Sequence, residues 1–337
     1  MNKALIIAEA GVNYNGNLDL AKEMVHVARE CGADIIKFQT AKAELVISRY
    51  APKADYQKET TGVTESQLDM CRKILLPYED FVELAELCRQ VGIGFFSTPF
   101  ELESIDFLYK LGMRIWKIPS GEITNLPYLE KIGGYGQKII LSTGMSTLME
   151  VENAIKVLMS KGTRRENITL LHCTTEYPAP YSEVNLKAML TLREHFGMKV
   201  GYSDHTPGVI IPIAAISLGA SVIEKHFTLD KTLHGNDHYH SGEPEDFMKA
   251  IRNFKWIDTV LGNSEKTVLD CELLSRKEAR RSLVLTRNMK AGERISNADI
   301  MPKRPGTGIS PIYTDIVVGR KVVRDLNEDT ILNWDMI

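Results

Sequence analysis

Eight short apolar runs, each followed by a stretch of helical hydrophobic spacing or a helix-length gap, constrain the fold of this chain more than any other feature. They are Leu5 to Ala8, Asp34 to Phe38, Gly94 to Ser97, Arg114 to Ile118, Lys138 to Leu141, Ile168 to His172, Lys199 to Tyr202 and Ser221 to Glu224. The runs are apolar throughout rather than alternating, which implies strands covered on both faces, as in a parallel sheet. After the first run, Leu20, Met24, Val27, Ala28 and Cys31 recur at helical spacing and stop at Gly32. Further helices are expected near 79–91, 101–111, 125–133, 147–160, 185–196, 208–219 and 244–260. Eight such units in about 260 residues predict a closed (β/α)8 TIM barrel over residues 1–265. An open dinucleotide-binding sheet is disfavoured, because no G-x-G-x-x-G follows the first run.

Beyond this point the pattern changes. Residues 266–281 read as a polar linker, with a helix over Glu272 to Arg281. Residues 282–337 read as a small β-rich domain with short runs at Leu283 to Leu285 and Ile316 to Val318 and a loop from Pro302 to Pro311. Two segments in it are loosely alike, Arg287 to Asp299 and Arg324 to Asp335, as expected of a pseudo-duplicated unit. Its core is thin, so it is expected to dock on something.

A formal charge of −3 in 337 residues provides no long-range field for nucleic acid or an anionic membrane, so an anionic ligand must be held by a few local cations. The five cysteines are scattered and never in C-x-x-C spacing, which argues against a disulfide framework or zinc ribbon and for a reducing cytoplasm. No apolar run approaches the ~20 residues of a membrane helix, and no signal peptide is expected.

Polar residues stand at the C-terminal ends of the eight runs: Glu9, Lys37 with Gln39, Thr98, Lys117 with Ser120, Ser142, Thr175 with Tyr177, Ser203-Asp204-His205, and Glu224-Lys225-His226. In a TIM barrel these ends converge on one rim, where chemistry is found. His205 and His226 end neighbouring strands, so their imidazoles are expected to share one divalent cation, Mn2+ or Mg2+, with coordination positions left open. Lys37 and Lys117, with the hydroxyls of Thr98, Ser120, Ser142 and Ser203, form a cradle suited to a small, multiply charged anion carrying phosphate and carboxylate. His172 and Cys173 read as packing. His234, His238 and His240 read as a loop over the rim, with Asp237 among them a candidate hydroxyl acceptor.

Taken together, Ile7–Gly16, Lys37–Thr40, Ser97–Phe100, Lys117–Glu122, Ser142–Met145, His172–Pro178, Gly201–Thr206 and Glu224–Thr228 resemble the sialic acid synthase group. Arg281–Leu283 and Lys303–Gly306 resemble that group's C-terminal antifreeze-like (SAF) domain. The resemblance implies a cytoplasmic transferase that condenses phosphoenolpyruvate with an open-chain N-acetylated sugar and water, releasing phosphate by C–O cleavage. It implies that His205 and His226 hold the metal, and that Lys37, Thr98, Lys117, Ser120, Ser142, Tyr177 and Ser203 hold phosphoenolpyruvate. Glu9, Gln39 and Asp237 are implied at the sugar. Arg304 is implied to reach the other subunit's site in a domain-swapped homodimer.

Glu9 or Glu224 is the expected proton shuttle, with Lys117 beside the reacting atoms. The expected acceptor is N-acetylmannosamine, giving N-acetylneuraminate. The alternative is a 2,4-diacetamido-2,4,6-trideoxy hexose, giving a legionaminic- or pseudaminic-type acid. Thr175, where some members have Asn, and Gly235-Asn236-Asp237, in place of Gly-Pro-Asp, lie at the sugar end and leave this choice open. A Schiff-base pyruvate aldolase with Lys117 or Lys37 as the amine is a more distant reading. The non-enzyme reading makes the barrel a scaffold for a ligand-binding tail.

Overall fold

The computed structural model describes residues 4–52 and 66–337, apart from the side chains of Lys255 and Asp258. It divides into two compact units, up to Gly262 and from Asn263 to Ile337.

The first unit is the expected barrel. Its strands are β1 Leu5–Gly11, β2 Ile35–Thr40, β3 Gly94–Pro99, β4 Ile115–Ile118, β5 Lys138–Ser142, β6 Ile168–His172, β7 Lys199–Asp204 and β8 Val222–His226. All pairings are parallel, in the order β3-β2-β1-β8-β7-β6-β5-β4, and β3 lies beside β4 to close the ring. Strands β1, β2, β3, β7 and β8 run two or three residues past the apolar runs, because the polar residues at their ends stay in register. Glu9 pairs with Lys37 on one side and His226 on the other, and Ser203 pairs with Glu224. Close approach of β7 to β8 requires Gly201, where a Cβ would run into the carbonyl oxygen and Cβ of Val222.

Helices return the chain between strands and begin and end on ordinary signals. Asn17 caps Leu18–Cys31, which stops at Gly32 in the left-handed region, and a Thr147/Glu150 capping box opens Leu148–Ser160. Two helices are shorter than the spacing predicts. Ala188–Phe196 starts late, because a 3-10 turn at Tyr181–Glu183 and a positive φ at Asn185 precede it. Ile210–Ser217 is trimmed at both ends.

In the second unit a helix covers Leu273–Ala279, and β9 Ser282–Leu285 pairs antiparallel with β10 Ile300–Lys303. Pro302 and Lys303, read as loop, therefore belong to a strand. Ile316 to Val318, read as β-type, instead contributes to a short helix, Thr314–Val317, which buries Val317 completely before Gly319 turns the chain. The pseudo-duplication has a physical counterpart. Arg287 pairs with Asp299 at 2.5 Å and Arg324 with Asp335 at 3.6 Å, while Met289 bridges Leu326.

Candidate functional site

At the C-terminal end of the barrel four oppositely charged side chains meet out of water. Lys37 Nζ lies 3.2 Å from Glu9 Oε2 and 3.0 Å from Glu224 Oε2, and Lys117 Nζ lies 3.1 Å from Glu224 Oε1. Ser203 Oγ donates to Glu224 at 3.1 Å and Gln39 Nε2 to Glu9 at 3.3 Å. All four charged residues are at least nine-tenths buried. Burial pushes the Glu9 carboxyl up to about 7, against the pull of Lys37 and with a further push from Glu224. Glu224 is held down to about 2, because Lys117 and Lys37 together outweigh its burial. A lysine ammonium has three donors, and Lys117 spends one of them on Glu224 Oε1, so it retains N–H groups for an anion.

Hydroxyls surround this cluster. Ser142 is buried, and the buried Oγ1 atoms of Thr98 and Thr175 have no hydrogen-bond partner. Ser120 Oγ accepts from the Gly144 N–H at 3.0 Å and lies 3.2 Å from Cys173 Sγ. A Cβ at Gly144 would collide with Thr175 Oγ1, Ser120 Oγ and Cys173 Sγ, so only glycine lets the backbone close on these groups.

The two histidines predicted to act together do come together, with ring centroids 5.6 Å apart. His205 Nδ1 donates to the Thr174 carbonyl at 2.7 Å, which leaves Nε2 with its lone pair. Burial lowers His205 to about 4. His226 is also held neutral, first by burial and then by the neighbouring imidazoles of His240 and His205. Its buried Nδ1 has no hydrogen-bond partner and lies 3.8 Å from Asp237 Oδ2. Two neutral, partly orphaned imidazoles suit a divalent ion. Among the described residues no set of three His, Cys, Asp or Glu side chains converges to form a cage.

Two residues read as facing the rim point elsewhere. Side chains alternate along a strand, so Asp204 and Lys225 face outward between Ser203 and His205 and between Glu224 and His226. There they pair at 2.6 Å, Asp204 also holding Thr206, and Lys225 borders a small gap against Val209, Phe247 and Ile251 under the helices. The histidine-rich loop is not simply a cover. A 3-10 turn at His238–His240 buries both His238 and His240. His238 is tied to Thr228 Oγ1 at 2.6 Å and to Asn15 Nδ2 at 3.0 Å. His240 packs 4.9 Å from His226 and 5.1 Å from Tyr177 between ring centroids, with neither ring nitrogen partnered. Residue spacing gave no signal for this, since the contact partners come from other strand ends. His172 is tied to the Val184 carbonyl at 2.7 Å, in keeping with a packing role. Arg304 is exposed and belongs to the second unit.

Beside the cluster a cavity of about 350 Å³ opens. Gln39, Tyr177, His226, Asn236 and Asp237 line one part of it, and Val12, Val46, Ile47, Ile74, Leu75 and Phe100 give it an apolar wall. Burial raises Asp237 to about 6.

A TIM barrel with this rim, followed by a small β-rich domain, defines a class of two-domain synthases. Residues 24–266 match the NeuB family and residues 280–337 the SAF domain. An N,N'-diacetyllegionaminic acid synthase of Campylobacter jejuni is 49% identical over 332 residues, 98% of this chain and 99% of that protein. A protein of the same name from Legionella pneumophila is 46% identical over 98% of this chain and 94% of its own length. The crystal structure of the N-acetylneuraminic acid synthetase of Leptospira borgpetersenii superposes with a TM-score of 0.71 at 32% identity, covering 81% of this chain and 90% of that one. The chain belongs to the NeuB family. Among the described residues no helix is long and apolar enough to cross a membrane, and no two cysteines form a disulfide.

Proposed function

We propose that this chain condenses phosphoenolpyruvate with the open-chain aldehyde of a 2,4-diacetamido-2,4,6-trideoxy hexose, yielding a legionaminic-type nine-carbon keto acid and phosphate. The reading of the reaction is carried by one observation: the neutral His205 and His226 pair beside the buried cluster of Lys37, Lys117, Glu9 and Glu224. N-Acetylmannosamine was the acceptor expected from sequence. Two support its diacetamido alternative: the 49% and 46% identities to proteins named for that chemistry, and the apolar wall, which suits a C6 methyl and acetamido methyls better than hydroxyls.

In this reading C3 of the enol attacks the aldehyde carbon, water adds at C2, and phosphate leaves with cleavage of the C2–O bond. Lys37 and Lys117 orient the phosphate and carboxylate, with Thr98, Ser120, Ser142 and Ser203 filling in as neutral donors. Tyr177 packs on His205, ring centroids 4.3 Å apart, and closes that side. Glu9, pushed up to about 7, can hold a proton near neutrality and release it, which fits it for shuttling between the sugar hydroxyl and water. Gln39 and Asp237 border the sugar end. His205 and His226 would hold a divalent cation, Mn2+ or Mg2+, which when bound supplies Lewis-acid polarisation of the aldehyde.

The test is phosphate release from phosphoenolpyruvate with a panel of amino sugars. The expected outcome is a preference for the 2,4-diacetamido-6-deoxy acceptor. Preference for N-acetylmannosamine would return the chain to N-acetylneuraminate synthesis. Capture of a pyruvate adduct by borohydride would instead indicate an aldolase.

A further inference from the structure

Asn236 is 7% exposed, borders the acceptor cavity, and leaves its buried Oδ1 without a hydrogen-bond partner. Polar atoms in such positions are normally satisfied, so an orphaned one that borders a cavity is a place where a ligand can complete the bonding.

The backbone around Asn236 is fixed on both sides. Asn15 Nδ2 donates to the His234 carbonyl at 2.8 Å and meets His238 Nε2 at 3.0 Å. Gly235 has no room for a Cβ, which would press on Asn15 and the His238 ring. Ser241 Oγ donates to the Asp237 carbonyl at 2.6 Å, and Asn13 in turn holds Ser241 at 2.9 Å. The carboxamide is thus presented by a braced loop rather than a mobile one, as a recognition group requires.

A primary carboxamide carries both a donor and an acceptor, and either can bond a secondary acetamido group, whose N–H and C=O point in opposite directions. A hydroxyl carries donor and acceptor on a single atom and has no carbonyl for Nδ2 to reach. With the aldehyde at the strand-end cluster, the C2 substituent, one bond away, would lie among the ionic groups there, which leaves the C4 substituent as the acetamido group free to reach Asn236 in the cavity. We infer that Asn236 is a specificity-determining residue that pairs with the acetamido group at C4 of the acceptor. This rests on the acceptor proposed above.

The test compares two acceptors that differ only at C4: the 2,4-diacetamido-2,4,6-trideoxy hexose and its analogue with a C4 hydroxyl. The wild-type enzyme is expected to favour the first by about 100-fold or more in kcat/KM. In Asn236→Ala that ratio is expected to fall at least tenfold, chiefly through KM for the diacetamido sugar. Asn236→Asp, which keeps the shape and loses the N–H donors, is expected to lower it as well, and serves if the alanine variant does not fold. A ratio within twofold of wild type in the folded variants, or an equal loss on both acceptors, overturns the inference. A wild-type preference for the C4 hydroxyl would instead sink the acceptor proposal before any variant is made.

Discussion

Lys117 and Glu224, 107 positions apart in the chain, meet at 3.1 Å inside the barrel, and the same carboxylate holds Lys37 at 3.0 Å through its other oxygen. Removing Glu224 leaves two ammonium groups in a buried site with only Glu9 to offset them. Loss of one partner from a buried charge pair typically costs 3–5 kcal/mol, so Glu224→Ala is expected to lower the unfolding free energy by about 3 kcal/mol. Urea denaturation measures this. The double variant Glu224→Leu/Lys117→Met removes one unpaired charge together with its partner, and should be more stable than Glu224→Ala while remaining inactive.

Glu9 gives the fold a pH dependence whose sign follows from its raised carboxyl. Between its ordinary value of 4.5 and about 7 the unfolded chain has lost this proton while the folded protein keeps it. The folded state then binds more protons, so stability falls as pH rises through that window. The full shift corresponds to about 3 kcal/mol. Glu9→Gln should flatten the fall, measured as the difference between urea midpoints at pH 5 and pH 8. An unchanged slope would mean that the Lys37 pair holds Glu9 ionised at both values.

How much of this site could be read beforehand follows from strand geometry. Apolar runs reveal strands because burial on both faces leaves little choice of residue, and the predicted convergence of Lys37, Lys117, Glu9, Glu224, His205 and His226 rests on barrel closure alone. Asp204 and Lys225 were misplaced because adjacency in sequence was read as adjacency on the rim, although a period of two turns every second side chain away. Their pairing at equal register on β7 and β8 was therefore legible in principle. The burial of His240 and the orphaned Asn236 were not, since both depend on how Asn13 and Asn15, near the start of the chain, brace a loop more than 200 residues later. In the tail, Ile316 to Val318 has β-type composition, but tertiary burial of Val317 draws it into a helical turn.

The histidine pair predicts a metal requirement with two readouts. His205→Ala would remove one of the two nitrogen ligands proposed, and Mn2+ binding followed by electron paramagnetic resonance should weaken by about 100-fold or more. Phosphate release should fall on the order of 1,000-fold. Thorough chelation of the wild type should abolish turnover and re-addition of Mn2+ or Mg2+ should restore it. Full activity in a verified metal-free preparation would remove the Lewis-acid role from the proposal.

Arg304, which the resemblance implies at another subunit's site, permits a test of whether the second unit serves a barrel, and whether that barrel is its own or another's. It is exposed in a unit whose core, from Leu283 to Leu332, does not need it, so Arg304→Ala should fold normally and raise KM for the acceptor sugar. His205→Ala in a second chain disables the barrel while leaving its tail intact. If the arginine acts across a dimer, a heterodimer of the two variants contains one complete site, in which a wild-type barrel receives the arginine of its disabled partner. Random reassociation of an equimolar mixture makes about half of the dimers heterodimers, so about a quarter of the wild-type activity at low sugar should then return. If the arginine serves its own chain, each barrel in the heterodimer lacks one component and mixing restores nothing. Light scattering of the same samples establishes whether dimers form, so a failure to reassociate cannot pass for the second outcome.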